Sequence, residues 1–346
     1  YRRYLSPLAG FLSSTFSPVV KIRLLFIQDS VIERFIIDYF KQFLFWFMDC
    51  KVFRYYYHVF YCIIQLMSDY FLRAKLFKTK KRLGQNFLVD EGVIDRIVEE
   101  VNPDDTVLEI GPGAGFVTEN IVNKAKKVYA VEIDEDAIEA LQHIKTEKFK
   151  LIHNDILKTQ LKDLEDTTFK VIANIPYYIT SPILAHLLGE IDDLNNDNRN
   201  RISEIVLMVQ WEVAQRLVAD ENAPSKQYGL LSILTQFNAD VELIQKVGRK
   251  SFYPAPKVDS ALVKITINNE PRVKVEDYKF LRKVVKACFA TRRKNLKNSL
   301  MNAGFNKDAV AKTLETLQWS ENVRGETLSI EKLAQLSEEL KKQCLA

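Results

Sequence analysis

Cysteine is scarce in this chain, and the four present (Cys50, Cys62, Cys288 and Cys344) are widely spaced. No CxxC pair occurs and no Cys/His cluster has ligand spacing, which argues against a thiolate zinc site and a disulfide framework. Free thiols in a reducing compartment, and so a cytoplasmic location, are the expectation; nothing calls for a metal. Neither sign of charge is in excess: 49 Lys and Arg face 45 Asp and Glu, a net of +4. Contact with a polyanion must therefore come from local basic clusters. A long uncharged apolar run is also missing. The stretch "FLFWFMDCKVFRYYYHVFYCIIQLM" (43–67) is broken by Asp49, Lys51, Arg54 and His58, so it lacks the ~18 residues a spanning helix needs. No compact apolar core with a small-residue cleavage site stands near the start, as a signal peptide would require. No stable membrane association is expected. Glycine is almost absent from residues 1–77, where Gly10 stands alone among 21 of the chain's 38 aromatics. That segment reads as an atypical extension, either disordered or foreign to the ancestral protein, or as an amphipathic surface-lying stretch.

The composition changes at "KTKKRLGQNFLVD" (78–90), and a regular pattern begins. "GVIDRIVEEV" (92–101) has apolar residues at helical spacing. "TVLEIG" (106–111), "KVYAVEID" (127–134), "KLIHNDIL" (150–157) and "FKVIAN" (169–174) are short apolar strands, with helices read in "FVTENIVNKA" (116–125) and in the stretch through Ile138 and Leu141. "ISEIVLMVQ" (202–210) and "SALVKITIN" (260–268) continue the series. Strands alternating with helices predict an α/β fold: a Rossmann-like parallel sheet with helices on both faces. Beyond Pro271 the chain is rich in Lys, Leu and Glu and reads as helical. The expected division is an extension over 1–77, a sheet domain over 78–268 and a small all-helical C-terminal domain over 274–346. The length accommodates a large core and a smaller one.

Four strand ends carry polar or flexible residues in order. Gly111, Gly113 and Gly115 occupy the first turn, where glycine permits a tight bend and close approach of a ligand to the backbone. Phe116 stands where the dinucleotide fingerprint needs a further glycine, which counts against a nicotinamide or flavin enzyme. Glu132, 21 residues after Gly111, is placed either to accept ribose hydroxyls or simply as a solvated acid. Asp155 is either an acceptor for an adenine amine or a helix N-cap. Asn174 opens "NIPYY", which is either a turn or a holder for a planar base bearing an exocyclic amine. In an open parallel sheet such ends face one crevice, so the row favours the ligand-binding reading of each member.

Together with "LGQNFLVD" (83–90), "EIGPGAGFVTE" (109–119), "VEID" (131–134), "NIPYYITSPI" (174–183), "MVQWEVAQRLVA" (208–219), "YGLLS" (228–232), "SFYPAPKVDSALV" (251–263), "RRKNLKNSL" (292–300) and "RGETLSIEKLAQLS" (324–337), the chain closely resembles the small-subunit ribosomal RNA adenine-N6,N6-dimethyltransferases. These are class I S-adenosylmethionine-dependent methyltransferases. The resemblance covers about residues 78–340. It implies S-adenosylmethionine as methyl donor, with Asn86, Leu88, Gly111, Gly113, Glu132, Asp155 and Asn174 around it. It implies that Asn174 and Pro176 hold the adenine amine while Tyr177 and Phe252 cover the two faces of the base. The substrate implied is small-subunit rRNA within a pre-ribosomal particle, and the enzyme implied is a monomer. The sequence departs from the family at Trp211, where the family usually has Lys.

The basic residues suited to RNA phosphates are Lys80, Lys81, Arg82, Arg249, Lys257, Arg292, Arg293, Lys294 and Lys297. Two rivals share parts of the pattern. Macrolide-resistance methyltransferases of large-subunit rRNA have "QNFL" and "NIPY" but match less well at Gly84, Pro112 and the C-terminal motifs. A non-catalytic RNA-binding relative would be expected to lose the cofactor residues, which are all present.

Overall fold

The structure, a computed structural model, describes residues 70–345 except 78, 81, 82, 225, 292 and 293. Its elements in chain order begin with α1 (Tyr70–Leu76), β1 (Phe87–Leu88), α2 (Glu91–Glu99), β2 (Thr106–Ile110), α3 (Thr118–Lys124), β3 (Lys127–Glu132), α4 (Glu135–Leu141), β4 (Phe149–His153), β5 (Phe169–Asn174) and α5 (Thr180–Leu188). There follow β6 (Ile202–Gln210), α6 (Trp211–Val218), α7 (Leu230–Gln236), β7 (Ala239–Val247), β8 (Phe252–Tyr253) and β9 (Ser260–Ile267). The C-terminal helices are α8 (Tyr278–Ala290), α9 (Leu296–Asn302), α10 (Lys307–Thr316) and α11 (Ile330–Leu345).

Seven strands form one sheet in the order β4-β3-β2-β5-β6-β9-β7. The first five run parallel. The apolar runs of β2, β3, β5 and β6 suit strands buried on both faces, while β4 stands at the edge. Alternation along β2 sends Leu108 and Ile110 to a cluster with Ile183, Leu184 and Leu187 of α5. Val107 goes to the opposite face, with Ile94 and Ile97 of α2 and Ile121 of α3. The sheet is not parallel throughout, as the strand–helix alternation predicts. β9 lies between β6 and β7 and runs antiparallel to both. The chain between β7 and β9 has only a single 3-10 turn, Arg249–Ser251, and no α-helix to carry a parallel crossover, so it returns as an antiparallel neighbour.

The carboxyl ends of β2 and β5 adjoin, and the chain leaves them toward opposite edges of the sheet: β3 and β4 lie beyond β2, and β6 lies beyond β5. That reversal opens a crevice outside the strand ends. A second, two-stranded ribbon pairs β1 with β8, Leu88 opposite Phe252. It is extended by Val89 N donating to the Ser251 carbonyl at 2.9 Å. The contact unit containing the sheet begins at Asp69, so α1 precedes the composition change at Lys78. Its Ala74 is buried in the same cluster as Phe87, Phe116 and Phe252.

The helical C-terminal region packs its buried Leu281, Val285, Leu300, Val310 and Leu333 with Tyr228, Ile233 and Phe237. Tyr228, in "YGLLS", donates its buried hydroxyl to the Leu328 carbonyl at 3.1 Å. Among the described residues, no helix is long and apolar enough to cross a membrane. The aromatic extension up to residue 69 lies outside the described residues.

Candidate active site

One cavity lies at the carboxyl ends of β2, β3, β4 and β5. Asn86, Leu88, Gly111, Gly113, Glu132, Asp155, Asn174, Pro176 and Tyr177 all line it. They come from five separated segments, so the row of strand ends converges in space. Gly111 and Gly113 adopt φ of +67° and +56°, a region costly for residues with a Cβ. Gly113 is also tight: a Cβ there would stand 2.9 Å from Cε1 of Phe87. Its amide donates to Oε2 of Glu132 at 3.1 Å. The other Glu132 oxygen accepts from the amides of Ile133 at 2.8 Å and Asp134 at 2.9 Å. Burial still raises the Glu132 carboxyl above its ordinary value. A carboxylate oriented by three amides beside a glycine turn can hold vicinal hydroxyls. The glycine cradle and this donor–acceptor set fit the ribose and methionine parts of a nucleoside methyl donor.

Asp155 lines the cavity, and its Oδ1 caps a short turn, accepting from Leu157 N at 3.0 Å. Asn86 donates to the Gly84 carbonyl at 3.0 Å, which fixes its loop. Asn174 ends β5, and its side chain has no hydrogen-bond partner among the described residues. Its amide is therefore available to a ligand. The Pro176 carbonyl accepts from Ile179 N at 3.1 Å, which leaves one of its two lone pairs. Tyr177 is anchored by a 2.5 Å hydrogen bond between its hydroxyl and Oγ of Ser260, the first residue of β9. The ring beside Asn174 is thus fixed by a residue 83 positions away.

Phe252 does not join this group. It is 2 % exposed, pairs with Leu88 and packs in the core, and it does not line the cavity. Its ring is held under the β1–β8 ribbon, in the same core cluster as Phe87, Leu88 and Phe116. The basic residues also divide. Arg249, Lys257 and Lys294 are exposed and make no ion pair with a described residue. Lys297 pairs with Glu321 at 2.7 Å within the helical region. Lys80 is bound to Asp134, and to Asp136 at 2.8 Å. For Lys80 and Lys297 the positive charge is taken up internally, which opposes the phosphate-contact reading. Lys81, Arg82, Arg292 and Arg293 lie outside the described residues. At the family departure, the Lys246 ammonium of β7 sits 5.0 Å from the centre of the Trp211 ring. A cation is present there, donated by the neighbouring strand.

Sequence reasoning missed Glu109. Its side chain is buried on the cavity wall, and Oε2 has no hydrogen-bond partner among the described residues. Burial, with the Glu132 charge adding to it, pushes its carboxyl up to about 8. The only sequence signal was a charged residue inside an apolar strand. In the folded protein Glu109 holds its proton up to about pH 8, whereas the unfolded chain releases it near 4.5. Stability is therefore lost as pH rises through that window. Glu109→Gln is expected to flatten the fall of Tm across the same window, as thermal denaturation at a series of pH values would read. Parallel curves for the two proteins would refute the assignment.

The mixed sheet with its five parallel strands, the switch-point crevice and the glycine-and-carboxylate cradle together define a Rossmann-like methyltransferase. A family model described as ribosomal RNA adenine dimethylase matches residues 76–342. Ribosomal RNA small subunit methyltransferase A of Clostridium botulinum (strain Kyoto / Type A2) is 42 % identical over 268 residues, covering 76 % of this chain and 94 % of that protein. The protein of the same name from Bacillus licheniformis is 40 % identical over 283 residues, 78 % of this chain and 94 % of its own length. Among solved structures, a dimethyladenosine transferase from Plasmodium falciparum is 25 % identical with a TM-score of 0.60, over 73 % of this chain and 97 % of that one. The 23S rRNA methyltransferase ErmE is 27 % identical with a TM-score of 0.56, over 74 % of this chain and all of that one. The chain belongs to the ribosomal RNA adenine dimethylase family and is an rRNA adenine dimethyltransferase.

Proposed function

We propose that this enzyme dimethylates N6 of two adjacent adenosines near the 3′ end of small-subunit (16S) rRNA, within a pre-ribosomal particle, as a monomer in the cytoplasm. S-adenosylmethionine, bound in the strand-end cavity, would supply an electrophilic methyl group. The observation that carries this reading is the unpartnered amide of Asn174 beside the remaining lone pair of the Pro176 carbonyl and the anchored ring of Tyr177. An adenine N6 lone pair is delocalised into the ring and is a poor nucleophile. Two acceptors that bind its N–H groups favour a tetrahedral nitrogen whose lone pair can attack. Tyr177 would stack on the flipped base, an interaction worth about 1–3 kcal/mol. The remaining work is positioning, which can offset ~7–11 kcal/mol of barrier. The proton leaves once the nitrogen is cationic.

Identity favours the small-subunit substrate over the large-subunit one. The small-subunit relatives are 42 % and 40 % identical, against 27 % for the 23S enzyme. Small-subunit particles from a strain lacking this gene are expected to gain paired N6,N6-dimethyladenosines on incubation with the protein and S-adenosylmethionine. Mass spectrometry of rRNA fragments reads the result. Modification of large-subunit rRNA alone would refute the proposal.

The exposed cations Arg249, Lys257 and Lys294 are the expected phosphate contacts. Replacing each with Ala should weaken particle binding and reduce the slope of log affinity against log salt by ~0.7–0.9 per contact. Lys297→Ala should leave that slope unchanged, because its charge is already paired with Glu321.

A further inference from the structure

The chain from α1 to β1 is fastened at two places on either side of the cavity. At one end the buried Arg73 forms a forked pair with Glu119 of α3, one arm at 2.8 Å. Its guanidinium stands 4.9 Å from the centre of the Phe116 ring, which lines the cavity. Asn120 donates to the Tyr70 hydroxyl at 2.9 Å. At the other end, Lys80 Nζ bonds Asp134 and lies 2.8 Å from Asp136. Gln85 Nε2 donates to the second Asp134 oxygen at 2.5 Å. Gln85 Oε1 accepts from Lys80 N at 2.8 Å, which closes a ring of three residues. The Asp134 side chain is fully buried. The second fastening holds the segment Leu83 to Leu88, which includes Gln85 and forms one wall of the cavity.

Asp134 joins this wall to the opposite one. It lies two residues beyond Glu132, and its amide is bonded to the Glu132 carboxylate at 2.9 Å. The ring of Lys80, Gln85 and Asp134 therefore connects the strap carrying Asn86 and Leu88 to the strand end carrying Glu132. A buried carboxylate that loses its cation is strongly destabilised. Here the easiest relief is to lift the strap and admit water, leaving the sheet intact. Local opening of this kind costs less than global unfolding.

We propose that Lys80, Gln85 and Asp134 form a latch that holds the Leu83–Leu88 strap over the bound methyl donor and sets its residence time. This rests on the methyl-donor reading of the cavity. The three are positioning residues: they act through Asn86, Leu88 and Glu132 and touch no reacting atom.

The test measures S-adenosylmethionine affinity by calorimetry and the dissociation rate of S-adenosylhomocysteine by stopped flow. The proteins are wild type, Lys80→Ala, Lys80→Arg and Gln85→Ala. Lys80→Ala is expected to weaken binding ~10–100-fold, the size of a lost charged hydrogen bond. The loss should come from faster dissociation, with kcat at saturating donor nearly unchanged. Hydrogen exchange in residues 83–88 should speed up while the sheet strands stay protected. Lys80→Arg should restore most of the affinity, and Gln85→Ala should have a smaller effect of the same kind. Wild-type protein that binds the donor, with Lys80→Ala binding and releasing it identically, would overturn the latch alone. Loss of affinity with equal loss of sheet protection would also overturn it, by assigning the ring to general stability. Wild-type protein that fails to bind the donor would overturn the functional reading and the latch with it.

Discussion

Asn174→Ala is expected to reduce methyl transfer by ~10²–10³-fold, the loss found when one preorganised polar contact to a reacting centre is removed. The fold should survive. The side chain has no hydrogen-bond partner among the described residues, so its removal leaves no buried group unsatisfied. Backbone pairing of β5 with β2 and β6 does not depend on it. The measurement is single-turnover methylation of small-subunit particles at saturating donor, with circular dichroism and Tm as controls. A folded variant that transfers methyl groups at the wild-type rate would refute the reading of "NIPYY" as the catalytic loop. Asn174→Asp is the sharper control. It keeps the size and one acceptor oxygen, so activity that survives in Asp and not in Ala would isolate hydrogen-bond acceptance as the role.

Gly113→Ala is expected to weaken S-adenosylmethionine binding at least ~10-fold without unfolding the protein. Two costs combine. The backbone stands at φ +56°, where an L-residue with a Cβ loses roughly 1–2 kcal/mol. The new Cβ would meet Phe87 at 2.9 Å and 3.2 Å, an overpacking that typically costs about 1–3 kcal/mol. The clashing atoms belong to a side chain of β1, on the strap. Relief therefore moves the strap and not the sheet, and the damage falls on the cavity. The Gly113 amide that orients Glu132 shifts as well. Calorimetry should show the affinity loss beside a modest change in Tm. Unaltered affinity would mean that the turn does not approach the donor.

The sheet was legible because its signals are local. Most strands are short apolar runs, most crossovers between them carry a helical period, and right-handed parallel connections bring their ends to one side. Gly111, Glu132, Asp155 and Asn174 could be read as one site for that reason alone. β9 escaped this logic. Its alternating pattern marks it as a strand, but nothing in it says that it enters between β6 and β7 in the opposite sense. Phe252 illustrates a different failure. The family motif brought it to the base, yet its pairing partner Leu88 and the cluster around Phe87 and Phe116 draw it into the core.

The amino-acid sequence by itself determined the α/β class and the residue types at the strand ends, which rest on periodicity and spacing within short windows, and it carried the motifs by which the chain resembles its family. Only the tertiary structure decided which polar groups are already satisfied. Lys80 and Arg249 look equivalent in the sequence, both lying in basic clusters. The fold brings Asp134 and Asp136 to the first, over 50 residues downstream, and no carboxylate ion pair with a described residue to the second. The same holds for Tyr177 and Ser260, 83 residues apart. Charge pairing and hydrogen bonding act over a few ångströms of space, and distance in space is set by the packing of the whole chain, which no local window contains.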